Sequence, residues 1–263
     1  MKYIDIHCHV NFAAYDADRE EVIIRAKDAD VGMILVGSDQ ATSELAVDIA
    51  AKHENMWAII GLHPTDVATG FDTDFFTKLA AHPKVVGIGE CGLDYFHIDP
   101  ATNTVDKQLQ ESIFRAHIEL SEKVQKPLML HIRSSKIDDA YQDAITILSD
   151  LKSRGLFTQG GDVHFFAGNL DCARQFIELG FSLSFTGVIT FAKEYEDVIK
   201  NIPLERIMSE TDAPFVTPVP YRGKRNEPSY VVEVVKKIAS IRGEEETAVA
   251  TQLVKNAQTL FKL

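Results

Sequence analysis

The stretch Tyr3-Ile4-Asp5-Ile6-His7-Cys8-His9 reads as a short apolar strand, residues 3–7, that finishes in a His-x-His pair. Residues two apart on an extended segment leave the same face, with Cα atoms about 7 Å apart, so both imidazoles can reach one ion between them. Taken alone, the pair is also compatible with two satisfied polar groups on the rim of a sheet. What stands at the ends of the other strands separates these readings.

Seven further runs rich in Val, Ile, Leu and Phe follow, at residues 32–36, 57–62, 85–89, 127–132, 162–166, 181–185 and 206–210. Stretches with helical spacing lie between them, near 19–29, 41–54, 73–81, 106–125, 137–152, 170–179 and 192–200. Two more follow the eighth run, near 228–241 and 245–261. This alternation predicts βα units around a parallel sheet. No Ser/Gly-rich linker or shift of composition divides the chain, so residues 1–263 are expected to form one domain. Eight units at this length fit a TIM-like (β/α)8 barrel, typically about 250 residues; the competing architecture is an open, doubly wound sheet.

The strand ends discriminate. The first ends in His7-Cys8-His9, the third in Gly61-Leu62-His63-Pro64 and the fourth in Gly89-Glu90. The fifth ends at His131, the sixth at His164 and the eighth in Glu210-Thr211-Asp212. Imidazole suits zinc and other transition metals, and carboxylates suit magnesium and manganese. Four histidines and two acids suffice for two cations: His7, His9 and Asp212 on one, His131 and His164 on the other, with Glu90 bridging. Ligands from the first and last strands must then meet. A closed barrel brings them together directly, with the site at the C-terminal rim of its strands, whereas an open sheet needs a special strand order.

Composition narrows the function. The 263 residues are 45% hydrophobic and 25% charged, which excludes disorder and a small disulfide scaffold. A net charge of −12 argues against a protein that coats duplex DNA through a broad basic face. The local exception is Tyr221-Arg222-Gly223-Lys224-Arg225, which reads either as a solvated loop or as a phosphate-binding one. Three cysteines without a CxxC pair, no leader-like segment and no apolar stretch near about 18 residues predict a cytoplasmic protein with no membrane contact.

The ordered motifs Asp5-Ile6-His7-Cys8-His9, Gly61-Leu62-His63-Pro64, Gly89-Glu90-Cys91-Gly92-Leu93-Asp94-Tyr95 and Leu130-His131-Ile132-Arg133 run through the first half of the chain. His164-Phe165-Phe166-Ala167-Gly168, Glu210-Thr211-Asp212-Ala213-Pro214 and Arg222-Gly223-Lys224-Arg225-Asn226-Glu227-Pro228 continue the series. Together they resemble the TatD-type metal-dependent deoxyribonucleases, a branch of the amidohydrolase-like barrels. The resemblance implies two divalent cations (Mg, Mn or Zn) and hydrolysis of DNA phosphodiester bonds, with 3′-5′ exonucleolytic action on single-stranded ends by a monomer. Glu90 would bridge the ions, and Asp212 would ligate one of them and accept the proton of the attacking water. Family members commonly carry Cys and Ser where this chain has Phe165 and Ala167, and an acid where it has Ser134-Ser135-Lys136. These departures bear on substrate shape near His164 and Arg133.

Other residues keep two readings. Arg133, two past His131, projects to the same side and can clamp a phosphate; Arg222 and Lys224 would add phosphate charge at the rim. His63 is either a phosphate contact or part of a Gly-x-His-Pro turn. Asp94 either orients a ligand histidine or caps its loop. His53, His82, His97 and His117 read as surface or loop packing, Cys8 and Cys91 as packing between strands and helices, and Trp57 and the Phe-rich runs as core. A hydrolase for C–N bonds, small phosphoesters or lactones on the same barrel is the alternative. Many such enzymes bridge their metals with a carboxylated lysine on the fourth strand, where this chain has Glu90. A barrel retained only for binding is the other alternative, and it gives no reason for the six clustered ligands.

Overall fold

The computed structural model describes residues 1–99 and 103–263, and in it all eight expected strands form one parallel sheet in sequence order. β1 (Tyr3–Cys8) pairs β2 (Val31–Val36), and the ladder continues through β3 (Met56–Ile60), β4 (Val85–Asp94) and β5 (Leu128–Arg133). β6 (Gly161–Val163), β7 (Phe181–Phe185) and β8 (Ile207–Ser209) complete it. Closure comes from the end of β8 and the residues just beyond it. The Asp212 N–H donates to the His7 carbonyl at 2.9 Å, the His9 N–H donates to the Ala213 carbonyl at 2.7 Å, and Ser209 Oγ donates to the Ile4 carbonyl. The first and last strands therefore meet, and the open sheet is excluded.

Helices fill the crossovers: α1 (Arg19–Asp28), α2 (Gln40–Ala50), α3 (Thr73–Leu79), α4 (Asn103–Val124), α5 (Ala140–Ser153), α6 (Leu170–Leu179) and α7 (Glu196–Asn201). α8 (Val231–Arg242) and α9 (Glu246–Phe261) follow β8. Several boundaries differ from the sequence expectation for local reasons. α5 starts at Ala140 because Asp139 caps it, accepting the N–H groups of Tyr141 and Gln142. α7 starts late because a 3-10 turn, Gly187–Thr190, follows β7. β4 runs on to Asp94, so Glu90 stands within the strand and not at its end. Gly89 and Gly92, at φ +142 and +140, flank it where any Cβ would collide with the carbonyls of Met129 and His131. That close approach shifts the register with β5 between Ile88 and Cys91.

Two apolar layers hold the barrel. One lies between strands and helices and includes Cys8 and Cys91, as expected. The other fills the barrel interior with Ile4, Ile6, Ile34, Ile59, Met129 and Met208, and α9 closes its lower end with Val254, Ala257 and Phe261. Trp57 is a correction: it is only half-buried and packs against this lower cluster. Phe165 also departs from the core reading, because it lines the cleft at the opposite, polar end. Among the described residues no helix is long and apolar enough to cross a membrane.

His117 corrects the expectation of surface packing. It is fully buried on α4, and its Nδ1 bonds the Ile113 carbonyl at 2.8 Å while its Nε2 accepts the Leu62 N–H at 3.0 Å. That pattern requires the neutral ring, and burial lowers its pKa to about 4. A depressed pKa stabilises the fold fully above the unfolded value of 6.5, and the contribution is lost as pH falls toward 4. The wild type is expected to lose about 3 kcal/mol more than His117→Gln between pH 7 and pH 4, measured by urea unfolding. Equal losses would remove His117 from the account of acid sensitivity.

Candidate active site

The polar end of the barrel gathers His7 and His9 from the end of β1, His63 beyond β3, Glu90 on β4 and His131 on β5. His164 comes from beyond β6 and Asp212 from beyond β8. Most are buried; His63 and His131 are half-buried. Glu90 stands between two groups. Its Oε2 lies 3.5 Å from His7 Nε2 and 3.7 Å from His9 Nε2, and Asp212 Oδ1 lies 3.8 and 3.4 Å from the same two atoms. Its Oε1 lies 3.0 Å from His131 Nδ1, 2.9 Å from His164 Nε2 and 3.5 Å from His63 Nε2. One carboxylate thus addresses two donor sets with its two oxygens. His63, read from the sequence as a phosphate contact or a turn residue, stands with Glu90 and His131, their donor atoms within 4.8 Å of one another.

The donor chemistry fits cations. His7 Nε2 and His9 Nε2 face each other at 3.1 Å, as do His131 Nδ1 and His164 Nε2. Two imidazole lone pairs converging beside a carboxylate are the arrangement that a divalent cation satisfies. Buried His7 Nδ1 also lacks a hydrogen-bond partner among the described residues. The remaining ring nitrogens are anchored from behind. His9 Nδ1 meets the Val36 carbonyl at 2.9 Å, His131 Nε2 meets Asp94 Oδ2 at 3.1 Å, and His164 Nδ1 meets Glu210 Oε2 at 3.2 Å. Such contacts fix which nitrogen is left to face the site.

Electrostatics follow burial and these pairings. Burial pushes His7 down to about 3, so its ring is neutral. Burial opposes charge on His131 and His164 too, but carboxylates outweigh it and raise both: Asp94 and Glu90 for the first, Glu90 and Glu210 for the second. The Glu90 carboxyl, despite burial, is held well below the usual range by His164, His63 and His7. Asp94 carries both of its readings, because it also accepts the His97 N–H at 3.0 Å and meets His97 Nδ1 at 2.8 Å. His97 accordingly lines the cleft, whereas His82 caps the turn before β4 by accepting the Lys84 N–H.

The sequence reading missed three buried acids. Glu210 accepts from the Phe165 N–H and from Ser184 Oγ as well as facing His164. Asp162 shares that Ser184 hydroxyl, and Asp5 ties β1 to the segment just beyond β8 by accepting the Thr211 N–H and hydroxyl. Each left the same signal, as Asp5, Asp162 and Glu210 stand two residues before His7, His164 and Asp212, the spacing that puts side chains on the same side of an extended chain.

The cleft above these groups encloses about 770 Å3 and is lined by Arg133, Phe165, Ala167 and Phe215 among others. The two departures at Phe165 and Ala167 therefore bear on its shape. Ser134 and Ser135 instead act locally ahead of α5, their hydroxyls accepting the N–H groups of Ala140, Ile137 and Asp138. Arg222 and Lys224 sit on the β8–α8 loop at the same end but not in the cleft lining; Arg222 lies over Phe191 at 4.1 Å. Arg225 is structural, paired with Asp18 at 2.6 Å and stacked on Tyr15. Phe165, Asp212 and Val216 adopt left-handed backbone at φ 47, 55 and 51. For a β-branched valine this is an outlier, and strain of this kind concentrates at functional sites.

Residues 4–262 match a family profile described as TatD related DNase. An uncharacterized metal-dependent hydrolase of Bacillus subtilis, YabD, is 41% identical over 264 residues, covering 98% of each chain. A Klebsiella pneumoniae protein named 3′-5′ ssDNA/RNA exonuclease TatD is 31% identical, covering 98% of this chain and 97% of that one. The crystal structure of the Escherichia coli TatD homolog YjjV superposes with a TM-score of 0.89 at 28% identity, covering 100% of this chain and 98% of that one. With a full-length profile match, a shared barrel and a rim of convergent metal donors, the chain belongs to the TatD-related DNase family and is a metal-dependent hydrolase.

Proposed function

We propose that this protein is a 3′-5′ exodeoxyribonuclease that removes nucleotides from single-stranded DNA using two divalent cations. The observation that carries the reading is Glu90, whose two oxygens face two separate histidine groups. The name of the Klebsiella pneumoniae relative supports the substrate class. His7, His9 and Asp212 would hold one ion and His131 and His164 the other, with His63 beside the second. When bound, such a pair supplies Lewis acidity to phosphate oxygens and lowers the pKa of water toward neutrality. The chain's own groups do the rest. Asp212 takes the proton of the attacking water, Arg133 offsets phosphate charge from the cleft wall, and Asp94 and Glu210 hold His131 and His164 in their working tautomers.

The test is nucleotide release from a 3′-labelled single-stranded oligomer with magnesium or manganese, against a chelator control. Stepwise, chelator-sensitive shortening is expected. No release by a folded protein shown to hold metal would overturn the nuclease reading in favour of a small-molecule hydrolase on the same barrel. A second expectation concerns Glu210. Glu210→Gln keeps the side-chain shape but weakens the hold on His164, so metal affinity should fall about 10- to 100-fold. Excess metal should restore most of the activity; an unchanged metal titration would reject the role.

A further inference from the structure

We propose that the phenylalanines exposed around the cleft form a stacking track for the unpaired bases of a single-stranded polynucleotide, with two arginines pinning the rings and meeting the phosphates between them. This rests on the reading above only for the position of the scissile phosphate. Phe96, Phe191 and Phe215 are 55%, 45% and 53% exposed, and each stands on a loop that follows a strand, at the end of the barrel that holds the histidines. Exposed apolar groups gathered on one face mark a binding surface.

Each half of the site has its own platform. Phe215 lines the cleft with its ring centroid 6.4 Å from that of His9. Phe96 lies 5.0 Å from the ring of His97, which bonds Asp94, the anchor of His131. The Arg133 guanidinium sits 3.9 Å from the centroid of Phe96, and Arg222 sits 4.1 Å from that of Phe191. A guanidinium stacked on a ring orients it and keeps its own charge available to an anion. Alternating aromatic faces and cations match the alternating bases and phosphates of a single strand, because every base has a face to stack. Bases inside a duplex present no free face, so the occupant is single-stranded. The net charge of −12 makes this local pairing the means of holding a polyanion.

The test measures binding of a fluorescein-labelled, phosphorothioate-protected dT12 by anisotropy, beside an abasic strand of equal length and a duplex. Wild type is expected to bind dT12 at least about tenfold more tightly than either control. Phe96→Leu and Phe215→Leu keep an apolar side chain but lose the ring. Each should raise the Kd for dT12 about tenfold and that for the abasic strand less than twofold, with unchanged circular dichroism. Equal wild-type affinity for dT12 and the abasic strand, or leucine variants that bind dT12 as wild type does, would overturn the track. A track that passes this test in a protein that releases no nucleotide would leave the stacking surface standing and remove the cleavage reading alone.

Discussion

Glu90→Gln is expected to lower kcat/KM by about 10^3-fold or more and to strip metal from both halves of the site. The size follows from geometry. Loss of a contact behind one ligand typically costs about 10- to 100-fold in metal affinity. Glu90 faces His7 and His9 with one oxygen and His131, His164 and His63 with the other, so its replacement weakens both donor sets at once. Glutamine preserves the volume beside Gly89 and Gly92, where the backbone of β4 runs tight against β5. The fold should therefore survive, with an unchanged circular dichroism spectrum. The same substitution also removes the negative charge that holds His164 above its ordinary pKa. Metal content by mass spectrometry is the direct readout, and a variant that keeps two bound ions and full activity would disprove the bridging role.

The barrel was legible in the sequence because its signals are local and repeated. Each expected strand is a short run of apolar side chains, and the candidate ligands stand at or near the same end of six of the eight runs, which is the pattern a parallel barrel imposes. The pairing of His7 and His9 with Asp212 followed from period-two geometry and the need for closure, and the structure closes the ring at that place, through the His7 carbonyl and the Asp212 N–H. What stayed hidden depends on contacts between segments far apart in the chain. His117 looks like any polar residue on a helix until its two ring nitrogens meet Ile113 and Leu62. Asp162 and Glu210 meet only through Ser184 on the strand between them. The continuation of β4 past Glu90 was hidden for another reason: two glycines within five residues read as a break, whereas here they permit a close approach.

Asp212→Asn separates holding a cation from moving a proton. The carboxylate stands 3.4 Å from His9 Nε2, and the residue has left-handed backbone at φ 55. Asparagine tolerates that conformation nearly as well as aspartate, so the turn that closes the barrel through its N–H to His7 should be kept. Its amide oxygen can still face a cation, but the side chain can no longer take up the proton of water. Loss of a positioned general base typically costs about 10^2- to 10^4-fold in rate. The expected result is a fall of that size in kcat, with KM for the oligomer close to wild type. Excess metal should not repair it, in contrast to Glu210→Gln, whose defect lies in metal affinity. If saturating metal restores Asp212→Asn to wild-type turnover, Asp212 serves as a ligand only, and the proton must leave through another group at the cleft.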